Sequence, residues 1–178
     1  MKGSSQKGEG KKKVNEIKTF PVPFALKAIK EDISVSANAP SKPSKKQIIK
    51  QAFDFHSQGN IQEAAKCYQN FIDKGFKDYR VFSNYGIILK DLGQSEEAEF
   101  ITRKAIELDP KSANAYFLLG TILMDLGKRE EAELSIRKAI EIKPDYAEAH
   151  SNLGAVLRDL CKLEEAELST RKAIKLNP

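Results

Sequence analysis

The side chains of this 178-residue chain best equipped for chemistry are two histidines, two cysteines and a glutamate pair in three copies, Glu96-Glu97, Glu130-Glu131 and Glu164-Glu165. Paired carboxylates can serve as general acid and base, and His with Cys can bind zinc or form a nucleophilic couple. Their spacing argues against each use. Cys67 and Cys161 lie far apart, and neither has a Cys or His three or four positions away. His150 sits within a first helix and Cys161 at the turn position beyond it, so the two do not share a helix face. The glycines stand singly, with no phosphate-cradling loop. No catalytic residue, metal or cofactor is therefore expected. His150 reads as a packing residue and His56 as a solvated one. Each Glu pair opens an amphipathic run that closes on Arg103-Lys104, Arg137-Lys138 or Arg171-Lys172. Carboxylates at a helix start and cations at its end complement the helix dipole, which accounts for both without catalysis.

The elements that must position these groups repeat. Leu108-Asp109-Pro110, Ile142-Lys143-Pro144 and Leu176-Asn177-Pro178 place a proline every 34 residues. Gly86, Gly120 and Gly154 keep the same interval, as do Ala98, Ala132 and Ala166. A fixed period of this size predicts a stack of identical supersecondary units. In the middle unit Tyr116, Leu119, Leu123 and Leu126 recur at helical spacing until Gly127 breaks the chain. A second stripe, Ala132, Ile136, Ala139 and Ile140, runs to Pro144. Gly120 and Ala132 are small enough to let the two helices approach closely.

Tyr116, Leu119-Gly120, Leu123, Gly127, Ala132, Ile136, Ala139 and Pro144 together resemble the tetratricopeptide repeat. The resemblance covers 79–112, 113–146 and 147–178, and 45–78 reads as a divergent first unit. It implies an all-α fold, a right-handed α-solenoid of antiparallel helix pairs. Three departures stand out. Ile48, Phe82, Tyr116 and His150 fill the family's Trp slot. Cys161 replaces the turn glycine found at 59, 93 and 127. No capping helix follows the last unit, so self-association through the C-terminal repeat is expected.

In this family the first helices line a concave groove, and the same offsets mark the partner-binding residues here. They are Arg80, Asn84 and Ile87 in one unit; Asn114, Phe117, Leu118, Thr121, Met124 and Asp125 in the next; and Glu148, Asn152 and Arg158 in the last. Phe117, Leu118 and Met124 form an apolar cluster that either faces a peptide or packs against the neighbouring unit. Asn84 and Asn152 occupy the slot of the asparagine ladder of O-linked N-acetylglucosamine transferases, which Leu118 interrupts. The offsets used by carboxylate-clamp repeats hold Ile49, Phe53 and Leu118, disfavouring partners with a C-terminal carboxylate pair.

Charge divides the chain. Residues 1–46 carry eleven lysines against four acids, a balance of +7, while 47–178 balance at −2. Residues 1–44 read as a largely disordered basic tail and linker, with a short helical pattern over 23–31. Its Val22, Leu26, Ile29 and Ile33 form a stripe that could cover Ile49 and Phe53. Lys11-Lys12-Lys13 lacks interleaved aromatics or Arg, so no specific nucleic-acid site is predicted. No apolar run approaches the roughly 18 residues of a membrane span, and no secretory leader pattern is present. The expectation is a cytoplasmic, non-catalytic scaffold that binds a protein or peptide partner in its groove. The alternatives are the substrate-recognition region of a longer or truncated glycosyltransferase-like enzyme and, more weakly, nucleic-acid contact through the tail.

Overall fold

The computed structural model describes residues 43–177. The lysine-rich tail, with its helical pattern and its suggested cover over Ile49 and Phe53, lies outside them. Among the described residues eight α-helices follow one another: α1 Lys45–Ser57, α2 Ile61–Asp73, α3 Tyr79–Asp91, α4 Ser95–Leu108, α5 Ala113–Asp125, α6 Arg129–Ile142, α7 Ala147–Asp159 and α8 Leu163–Leu176. They pair in sequence as antiparallel hairpins that stack into the expected all-α, right-handed solenoid. Across the stack α3 touches α5, α5 touches α7, and Phe53 of α1 lies beside Arg80 of α3, so the odd-numbered helices form one wall.

Local chemistry sets the helix ends. Ser44 caps α1 in a capping box with Gln47, and Asn60, Asp78 and Ser112 accept from backbone N–H groups opening α2, α3 and α5. Helices α4, α6 and α8 have no side-chain cap but begin with the Glu pairs, which face the positive end of the dipole. The turns inside the hairpins need a left-handed residue. Gly127 takes φ +72°, and Cys161 adopts +59° at the equivalent place, the one such non-glycine among the described residues. The Cys161 turn keeps its hydrogen bond, Lys162 N donating to the Leu157 carbonyl at 2.8 Å, as Lys128 donates to Leu123 at 2.8 Å.

Inside each hairpin the backbones approach where small residues permit. A Cβ on Gly120 would collide with the Ile136 side chain, so only glycine fits between α5 and α6. The core falls into two clusters that share one helix. Ala115, Leu118 and Ile122 of α5 join the cluster built by α1 to α4. Leu119 and Leu123 of the same helix join the cluster of α6 to α8. A helix apolar on nearly every side belongs in the interior. That is where α5 sits.

Candidate functional site

The wall of odd-numbered helices holds a half-open cavity of about 340 Å³ between α1, α3 and α5. Phe53, Ile87 and Leu118 supply its apolar surface, and Ser83, Asn84, Ser112 and Asn114 its polar groups, with Tyr79 and Arg80 completing it. Leu118 belongs to the first core cluster and Phe53 packs against it, so the apolar side of the cavity is continuous with the core. Ser83 Oγ is buried and has no hydrogen-bond partner in the protein. Buried hydroxyls are normally paired, so this atom stands out.

Arg80 is held from two sides. Its Nε and Nη2 donate to Asp78 Oδ1 and Oδ2 at 3.0 and 2.8 Å, and its guanidinium lies 5.8 Å from the Phe53 ring centroid. The hydrogen bond from Arg80 holds the Asp78 carboxyl below the usual aspartate range. Behind the cavity Tyr68 is fully buried, and its hydroxyl lies 3.1 Å from His56 Nδ1. Burial pushes the Tyr68 hydroxyl up to about 12, with the Asn84 amide a smaller opposing influence. His56 is thus half-buried against a core tyrosine, not solvated as its place beside Ser57 suggested. His150 Nε2 lies 3.0 Å from the Pro144 carbonyl.

Of the groove residues read from the sequence, Arg80, Asn84, Ile87, Asn114 and Leu118 come together in this cavity. The others do not join it. The Phe117 ring lies 4.8 Å from the Tyr146 ring, and both Phe117 and Met124 pack against the second core cluster. Thr121 Oγ1 donates to the Leu118 carbonyl of its own helix at 2.8 Å. Asp125 meets Lys90 of α3 at 3.4 Å. Glu148, Asn152 and Arg158 lie on α7, one unit further on. Ser83 stands at the same repeat offset as Phe117, whereas Phe53, Tyr79 and Ser112 were not among the sequence-derived set. Phe53 precedes Ile87 by 34 residues, so the repeat period itself carried that signal. Tyr79 and Ser112 sit at unit boundaries, outside the groove offsets used.

Among the described residues no group of three His, Cys, Asp or Glu side chains is placed to hold a metal, and no helix is long and apolar enough to cross a membrane. Stacked helix pairs with a recessed cavity on the inner wall define a helical-repeat solenoid. Models of the tetratricopeptide repeat match residues 79–112, 113–146 and 147–178, more than half of the chain, which therefore belongs to that family. No curated protein matches the chain by sequence.

Among solved structures the fold is similar to that of MamA, with 20% identity over 75% of this chain and 78% of that one and a TM-score of 0.71. MamA from Desulfovibrio magneticus RS-1 aligns at 18% identity over 75% of each chain, with a TM-score of 0.70. YrrB, described as a TPR protein with an unusual peptide-binding site, aligns at 23% identity over 76% of this chain and 70% of that one, also with a TM-score of 0.70.

Proposed function

We propose that the chain is a non-catalytic interaction scaffold that grips an extended peptide in the cavity between α1, α3 and α5. The observation that carries this reading is the pairing of an apolar floor, Phe53, Ile87 and Leu118, with the amides of Asn84 and Asn114 and the unpartnered buried hydroxyl of Ser83. An apolar peptide side chain would fill the floor while the amides pair with its backbone, which tolerates many sequences. A peptide group bonded to Ser83 Oγ would relieve the desolvation that this atom now bears. The peptide-binding site for which YrrB is described supports the same use of the fold. The unit boundaries at 45, 79, 113 and 147 belong to this reading, with α1 and α2 as a divergent first repeat. So do self-association through the last repeat and a reducing, cytoplasmic setting in which Cys67 and Cys161 stay free thiols.

The transferase reading rests on Asn84 and Asn152, of which only Asn84 lines the cavity, and it takes second place. Selection of a random peptide library on the full chain, followed by fluorescence anisotropy of a selected peptide, tests the groove. Ile87→Asp should weaken binding at least about tenfold, and Asn84→Ala by several-fold. Equal binding to wild type and to both variants would place the site elsewhere.

A further inference from the structure

The junctions α4–α6 and α6–α8 are each closed by the same set of ion pairs. Glu99 of α4 bonds Arg103 of its own helix and Lys128 of the next unit, at 2.8 and 2.7 Å, and Arg103 reaches on to Glu131 at 3.0 Å. One unit later Glu133 bonds Arg137 and Lys162 at 2.9 and 2.7 Å, and Arg137 reaches Glu165 at 2.5 Å. Helix α8 repeats the first half of that set. Glu167 and Arg171 pair at 2.6 Å with side chains 63% and 74% exposed, and neither has a further ionic partner among the described residues.

This face repeats the junction at Ile174 and departs from it at Leu163. Ile106 and Ile140 pack against the second core cluster, whereas their counterpart Ile174 is 61% exposed. Leu163, 64% exposed, stands where the earlier units have Ser95 and Arg129. Arg129 meets Asp159 of the following unit at 3.4 Å, a contact that leucine cannot make. Residues 163, 167, 171 and 174 share one side of α8. Along it they read apolar, acidic, basic, apolar. Laid antiparallel on itself, this stripe sets Glu167 opposite Arg171 and Leu163 opposite Ile174, twice over. A two-fold interface requires such self-complementarity.

We propose that the Leu163–Glu167–Arg171–Ile174 stripe is the two-fold contact of a homodimer, α8 of one chain lying antiparallel on α8 of a second copy. The inference rests on the self-association within the reading above and is independent of the peptide groove. Sedimentation equilibrium of the full chain tests it, under reducing conditions that keep Cys161 from cross-linking copies. Wild type is a dimer in concentration-dependent exchange with monomer. Glu167→Arg and Arg171→Glu each set like charges face to face and raise the dissociation constant at least about tenfold. An equimolar mixture of the two variants recovers a heterodimer, and the double variant recovers the homodimer. Helical circular dichroism confirms that the variants stay folded. A wild type that remains monomeric to roughly millimolar concentration overturns the proposal. So do single variants that dimerise like wild type, or a mixture that stays monomeric. Peptide binding measured on the monomeric variants reports on the groove alone, so failure of one reading is separable from failure of the other.

Discussion

Cys161 holds a backbone angle that its counterparts reach as glycine. At φ +59° an L-residue brings its Cβ against its own backbone, a conformation that costs roughly 1 kcal/mol relative to glycine. The surrounding turn over-determines it: Cys161 N donates to the Arg158 carbonyl at 3.0 Å and the helices on either side are anchored in the core. Cys161→Gly is therefore expected to raise the unfolding free energy by about 1 kcal/mol in urea, partly offset by glycine's greater freedom in the unfolded chain. An unchanged or lower midpoint would show that the turn is not strained. The left-handed requirement was legible in the sequence because three other units spend a glycine there. The surroundings of His56 were not. Its partner Tyr68 sits on the following helix, and a contact between helices leaves no trace in the spacing of either one.

At the scale of elements, the junctions combine packing with ion pairs, and the ion pairs make them sensitive to acid. Hydrogen bonding from Lys128 holds the Glu99 carboxyl below the ordinary glutamate range. Burial pushes Glu133 up, but hydrogen bonds from Lys162 and Arg137, with their charges, outweigh it and leave this carboxyl lowered too. A carboxylate whose pKa is lower in the folded state stabilises the fold above the unfolded value and loses that contribution as pH falls through the folded one. Thermal melts should thus show a declining midpoint from about pH 5 downward. In Glu99→Gln/Glu133→Gln the decline should be shallower, from a lower starting midpoint; parallel curves for wild type and variant would contradict the assignment. The sequence marked only the neighbouring pairs, Glu96-Glu97 and Glu130-Glu131, as helix-start residues. The bonds of Glu99 and Glu133 to the next unit were not legible, because they depend on how one hairpin is rotated on another.

At the scale of the molecule, the 34-residue period predicted a stack of like units and the resemblance to the tetratricopeptide repeat made it a solenoid, since each position recurs in phase and its role is read several times over. The same redundancy failed for α5. Phe117, Leu118 and Met124 left two readings open because apolar residues run round most of this helix, and alternation between faces, the usual clue, is missing. The structure divides them: Leu118 faces the cavity and the first core, while Phe117 and Met124 face the unit that follows.

That shared helix governs how the stack comes apart. Repeat arrays usually fray from their ends, each unit depending only on its neighbours. Here α1–α2 or α7–α8 can open while most of one cluster survives, but opening α5 exposes both clusters at once. In the monomeric Glu167→Arg variant, native-state hydrogen exchange should find the α5 amides opening only with global unfolding, and the α8 amides through cheaper, partial openings. Comparable protection in α5 and α8 would rule this out. A protease or chaperone meeting the folded repeats would accordingly find its first purchase at the outer helix pairs and its last at α5. An α5 substitution would loosen both halves together, as no end substitution can.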